Sequence, residues 1–194
     1  MDSIFLHQKA NELVQSAGSR DLRAITKTVG MQVSEIPFES ISGFFTFQWD
    51  FYNVFINNKL DRQTKQMVCG YALSRYAEAY LFPEKSTFRK MDYISQAHLF
   101  EYEANAFSSH LMLDSDEIYY LTTLGYDAAQ IADITNRHLH LILVKLLEMY
   151  HMGYDLTHYH NLHKEFMLTH RNLVSASRDP VLDNRKKDRL KPVP

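Results

Sequence analysis

The stretch TKQMVCGYALSRYAEAY, Thr64–Tyr80, decides the fold. Met67, Val68, Tyr71 and Ala72 recur at helical spacing and nothing inside the stretch breaks a helix, so it predicts one helix with an apolar face. Its centre raises a question. Tyr71 and Arg75 lie one turn apart, where a zinc-binding helix of the H-E-x-x-H type carries its two histidines. The segment is either a metal helix that has lost its ligands or a core helix bearing a packed aromatic and a snorkelling cation.

Working outward, the flanking segments predict a mixed architecture. Asp2 to Ala17 reads as an amphipathic helix with Ala10, Leu13, Val14 and Ala17 as its buried stripe. A second helix follows, with Ser19 as its N-cap, Ile25 and Val29 facing inward and Gly30 ending it. MQVSEI alternates as a short strand, and GFFTFQWDFYNVFIN reads as two aromatic-rich strands turning near Trp49-Asp50. Beyond Pro83, STFRKMDYI is an edge strand or irregular loop. QAHLFEYEANAFSSHLML has the periodicity of a helix, Ser115 is placed to cap the next one, and Gly125 to stop it. DAAQIADITNRHLHLILVKLLEMYHMG reads as helix, turn, helix, and DLTHYHNLHKEFMLTHRNLV as a final helix. From Arg178 the chain is charged and proline-bearing, and reads as a mobile basic tail.

Bulk properties bound the function. The 194 residues are 45% apolar and 13% aromatic, enough for a globular core, and the formal charge of −2 offers no basic excess for nucleic acid as the main partner. The single cysteine, Cys69, rules out an intrachain disulfide and predicts a reducing, cytoplasmic setting. MDSIFLHQKANELV carries acids and no long apolar run, so it does not read as a signal peptide, and no stretch is long enough to span a bilayer.

The hairpin, the MVCG at Met67–Gly70, the EANAFSS at Glu103–Ser109 and the LGYDAAQIADITN at Leu124–Asn136 occur in an order that resembles the ImmA/IrrE family of metallopeptidases, which come from mobile elements and bacterial stress regulation. The resemblance covers about Asp2 to Leu156. It implies a zincin-like helix bearing H-E-L-G-H directly after MVCG, a zinc cofactor, a glutamate base and a third ligand from the E-A-N-x-F helix. Anchored on MVCG, the five motif positions fall on Tyr71, Ala72, Leu73, Ser74 and Arg75, and only the leucine survives. Glu103 stands at the third-ligand position. Arginine stays protonated and alanine has no proton acceptor, so the family's catalysis does not carry over. One expectation follows for the emptied centre. If Glu103 faces inward, Arg75 can replace the lost dication as its partner, with Glu78 and Glu101 as competing carboxylates.

Three other signals bear on function. His151, His158, His160 and His163 are close in sequence and form an alternative metal cluster, against solvated helix histidines as the ordinary reading. The Asp127–Tyr150 region has the rhythm of a helix-turn-helix and would present Asn136, Arg137, His138, His140 and Lys145 to DNA. The competing reading is a helical hairpin burying Ile131, Ile134, Leu141, Val144 and Leu147. Cys69 reads as a small buried residue rather than a nucleophile.

The sequence therefore predicts an α+β, zincin-like minimal domain with a small antiparallel sheet at 1–113, a helical C-terminal part at 114–177 and the tail at 178–194. The function it predicts is that of a pseudoenzyme, a protein-binding regulatory module. Its partner would be a helix-turn-helix repressor or a toxin-like protein, with no metal or other cofactor, at most weak nucleic-acid binding and no membrane. The alternatives are an active metallopeptidase with a relocated metal site and a DNA-binding regulator.

Overall fold

The computed structural model describes residues 2–48, 51–81 and 91–156. The expected turn at Trp49-Asp50, most of the segment after Pro83, the expected final helix beyond Leu156, His158, His160, His163 and the expected tail lie outside these residues.

The architecture is α+β. Helices α1 (Ser3–Ala17) and α2 (Leu22–Thr28) lead into strands β1 (Met31–Ile36), β2 (Gly43–Gln48) and β3 (Phe51–Asn57). Helix α3 (Arg62–Leu81) and strand β4 (Met91–Ile94) follow. Helices α4 (Tyr102–Met112), α5 (Ser115–Thr123), α6 (Ala128–Thr135) and α7 (Leu139–His151) complete the described chain.

The four strands lie in the order β1-β3-β2-β4, and the sheet is mixed, not antiparallel throughout. β2 pairs antiparallel with both β3 and β4, but β1 pairs parallel with β3. Asn57 supplies the physical reason. Its buried amide donates to the carbonyls of Phe38 and Ile41 at 3.1 and 3.0 Å and accepts from the Lys59 amide at 3.1 Å. The β1–β2 connection is thereby folded over the end of β3. β2 is carried past the neighbouring slot, and β3 returns into it alongside β1.

α3 crosses one face of this sheet. Asp61 caps it through the Thr64 amide at 2.9 Å, and Lys65 reaches Glu35 of β1 at 2.7 Å. Phe45, Val54 and Ile56 point into the core beneath it. On the opposite face Phe44 stacks on Phe55 at 4.6 Å, with Phe38 and Tyr93 at 5.8 and 6.2 Å from Phe44. This aromatic ladder is partly open to solvent, with Tyr93 58% exposed.

The expected helix over Gln96–Leu113 is broken. Ala97–Phe100 forms a 3-10 turn, Glu101 is extended (φ −64, ψ 124), and α4 begins at Tyr102. Asn105 holds the break, donating to the carbonyls of Leu99 and Glu101 at 2.8 Å each. The side-chain amide satisfies the Leu99 carbonyl, which the break leaves outside α4, and reinforces the Glu101 carbonyl, which also accepts from the Asn105 backbone amide at 3.1 Å.

α4 is the central helix. Every residue from Ala104 to Met112 is buried, and α1, α3 and α7 all pack against it. The buried core is continuous from Leu6 of α1 to Leu156, so the helices after residue 113 share it with the α+β part. Two expected caps move by one or two positions: Asp21, not Ser19, caps α2, and Asp114, not Ser115, caps α5. Both corrections have one cause, since a carboxylate accepts from the helix amides more strongly than a hydroxyl.

α3 packs tightly on α4 at Gly70. A Cβ there would lie 2.9 Å from Ser108 Oγ, 3.0 Å from Ser108 Cβ and 3.1 Å from Met112 Cε. Gly70→Val is expected to destabilise the protein by about 2 kcal/mol through overpacking, despite the better helix former. Chemical denaturation checks this, as a lower midpoint at unchanged slope.

Candidate functional site

The resemblance directs attention first to α3. Tyr71 is buried, with its ring stacked on His98 at 5.9 Å and 10°. Ala72 and Leu73 are fully buried, and Ser74 turns its hydroxyl back to the Tyr71 carbonyl at 2.7 Å. Arg75 Nη1 meets Glu78 at 2.5 Å, three residues along its own helix, with both side chains partly exposed. Glu103 is exposed. The premise of an inward carboxylate needing a replacement cation therefore does not hold, and among the described residues the carboxylate that Arg75 meets is Glu78.

These positions do not fit zinc. They offer a methyl group sealed in the core, a guanidinium committed to a carboxylate, a phenol packed on an imidazole and a carboxylate on the surface. Among the described residues no group of three or more His, Cys, Asp and Glu side chains converges on a point. His151 lies at the exposed end of α7, with Nδ1 3.8 Å from Glu148 Oε1. Cys69 is buried, and burial pushes its thiol up to about 12.

The desolvated ionisable groups are elsewhere, between α1, α4, α5 and α7. Lys145 and Glu148, three residues apart on α7, are 0% and 1% exposed. His110 of α4 is fully buried between them. Lys145 Nζ is 3.0 Å from His110 Nδ1 and 2.8 Å from Ser115 Oγ, and His110 Nε2 is 3.4 Å from Glu148 Oε2. Tyr102 donates to the other Glu148 oxygen. Ser115, released from capping by Asp114, serves as the acceptor for the buried ammonium.

A chain from the surface closes the network. Arg20 donates to Asp114 at 2.9 Å, to the His110 carbonyl at 2.7 Å and to Asn11 Oδ1 at 2.9 Å. Asn11 Nδ2 is 2.9 Å from His7 Nε2, and His7 Nδ1 is 3.3 Å from His110 Nδ1.

The bonding fixes the protons from both ends. Arginine has only donors, so Asn11 turns its oxygen to Arg20 and its NH2 to His7. His7 Nε2 is then an acceptor and its Nδ1 carries the proton. From the other side, Lys145 donates to His110 Nδ1, so the His110 proton sits on Nε2 and faces Glu148. Both routes make His110 Nδ1 the shared acceptor. His110 is a neutral bridge between a buried cation and a buried anion.

The electrostatics agree. Burial pushes His110 down to about 4; the Glu148 hydrogen bond opposes this, while Lys145 and His7 reinforce it. Burial brings Lys145 down to about 7, with Arg20 adding to the effect and Asp114 and Glu148 opposing it. Burial would raise Glu148, but hydrogen bonds from His110, Tyr102 and Ser3 outweigh it and hold the carboxyl below its usual range.

The helix-turn-helix candidates divide. Asn136 takes the left-handed conformation between α6 and α7 (φ 51), and His138 caps α7. His140 through Met149 are all buried, however, including Lys145. Ile131, Leu141, Val144 and Leu147 enter the core as the hairpin reading expected, whereas Ile134 is 51% exposed.

Sequence reasoning missed the His110–Lys145–Glu148 cluster. Its signal was present: opposite charges three apart inside the apolar run HLILVKLLEM, and a histidine inside AFSSHLML. A helix apolar on every side is a buried helix, and its charges then require partners.

Searches for similarity found no family model that matches the chain and no curated protein that matches it. No described helix is long and apolar enough to cross a membrane.

The two charged sites should respond differently to substitution. Glu148→Leu strands a buried ammonium and is expected to cost about 3 kcal/mol, much of it recovered by adding Lys145→Met. Arg75→Met breaks a partly exposed pair and should cost less than about 1 kcal/mol. Denaturant unfolding of the four proteins, with wild type as reference, measures all three differences.

Proposed function

We propose that this chain is a metal-independent, protein-binding regulatory module. In this reading it descends from an ImmA/IrrE-like metallopeptidase and retains the scaffold without the chemistry. The observation that carries the proposal is the state of α3: a packed tyrosine, a sealed methyl and a paired guanidinium occupy the three positions where the resemblance implies two ligands and a base.

The order of elements supports the reading, with an aromatic hairpin before α3 and the E-A-N-x-F helix packed against it. The aromatic ladder of Phe38, Phe44, Phe55 and Tyr93, with Phe51 51% exposed at the start of β3, supplies the recognition surface. Exposed aromatics in one patch suit protein recognition better than catalysis. The partner class we assign is a helix-turn-helix repressor or a toxin-like protein, and the compartment is the cytoplasm.

The alternatives draw less support. A recognition helix must lay one face in the major groove, whereas the corresponding helix, α7, is buried at every residue from His140 to Met149. Of the four histidines of a relocated metal site, His151 is the one among the described residues, and its carboxylate neighbour Glu148 is already engaged by Tyr102 and His110.

Calorimetric titration of purified helix-turn-helix repressors and toxin-like proteins into the full chain tests the proposal. Binding is expected to be unchanged by chelator, to leave the partner uncleaved, and to weaken at least tenfold in Phe44→Asp. Zinc-dependent cleavage of a partner, or binding that Phe44→Asp leaves intact, would overturn it.

A further inference from the structure

We propose that His110 is a proton-operated latch that fastens α1 and α7 to α4, and that acidification releases α1 while the sheet stays folded. The inference stands on geometry and does not depend on the protein-binding reading.

His110 Nδ1 is the single acceptor on which two other helices converge: His7 from α1 at 3.3 Å and Lys145 from α7 at 3.0 Å. One lone pair serves both contacts. Protonation removes it and replaces it with an N–H pointing at two donors. The same proton places a second cation beside Lys145, with the Arg20 guanidinium on the His110 carbonyl.

His7 of α1 and Lys145 and Glu148 of α7 act on the His110 ring directly, and Arg20 of the α1–α2 connection binds its carbonyl; Asp114 and Asp116 at the start of α5 act on His7 and Lys145, and Tyr102 of α4 on Glu148. Glu148 is the one anion in contact with the ring, and Nε2–H already occupies it. Asp114 is held by Arg20 and by the α5 amides. No second anion touches the ring among the described residues, so the added charge has no counter-charge at Nδ1. His7 is half-buried and gives the proton a way in.

The sign follows from the direction of the shift. The unfolded ring takes a proton near 6.5 and the folded one only near 4. Between these values the released state binds a proton that the latched state refuses, so latching weakens as pH falls through the window. α1 is the more weakly held of the two latched helices, because α7 buries every residue from His140 to Met149 and α1 only two. Its Leu6 and Ala10 are buried in the core, and the polar chain through His7 and Asn11 ends at His110.

Amide hydrogen exchange of the full chain between pH 7 and 4, corrected for intrinsic rates, tests the latch. Protection of α1 is expected to fall at least tenfold below about pH 5 while Phe45 and Val54 in the sheet keep theirs. His110→Gln retains an amide that accepts from Lys145 and donates to Glu148 but does not titrate, so release should move down by at least one pH unit. Nitrogen-15 NMR of the wild-type His110 ring gives an independent readout that needs no variant, and its protonation must coincide with α1 release. The latch is overturned if α1 and the sheet open together, if His110→Gln releases at the wild-type pH, or if the ring is still neutral when α1 opens.

Discussion

The structure depends on how a cation and an anion are kept inside an apolar helix. Lys145 and Glu148 sit on α7 among Leu141, Ile142, Leu143, Val144, Leu146, Leu147 and Met149, and neither is in contact with water. Removing two charges from water costs several kcal/mol each unless both are paired and their remaining hydrogen-bonding capacity is filled. The two do not close directly on each other. His110 stands between them and offers one nitrogen to each, while Ser115 and Tyr102 take up further capacity. α4, which carries His110, must therefore lie alongside α7 in one register and at one depth.

That requirement propagates. A central helix touched by α1, α3 and α7 brings its neighbours close where its side chains are small, at Ala104, Ala106, Ser108 and Ser109. On the α3 side the fit is tightened by Gly70, where no Cβ intervenes before Ser108. The break at Glu101, held by Asn105, lets the chain arrive from β4 and still start α4 at this depth. The asparagine of the E-A-N-x-F segment thus has a structural role, and Glu103 of the same segment faces outward.

The emptied centre and the buried network are separate places with different physics. On α3, Tyr71 and Arg75 are accommodated cheaply, one by packing on His98 and the other by a carboxylate on the same helix. The reading of Tyr71 as a packed aromatic, available from the sequence, is what the structure contains. The desolvated acid sought beside Arg75 exists, but it is Glu148 on α7. Helical spacing places Tyr71 and Arg75 on one face, yet it says nothing of which later carboxylate is inside.

Local pattern determined the elements. The periodicity of Thr64–Tyr80, the alternation in MQVSEI and GFFTF, the capping residues and the glycines at positive φ all act over a few residues, and the α+β order could be read from them. The burial of Cys69 and of the α6–α7 hairpin was legible for the same reason. Tertiary structure alone decided the parallel pairing of β1, because it depends on Asn57 gripping a loop some sixteen to nineteen residues earlier. It alone decided that Lys145 and His140 point into the core and Glu103 out of it. It also brought His7, His110 and Lys145 together across 103 and 35 residues of chain. A sequence states which groups are ionisable; which of them lose their water is set by helices that meet only when the whole core closes, and that loss of water is what makes His110 a bridge.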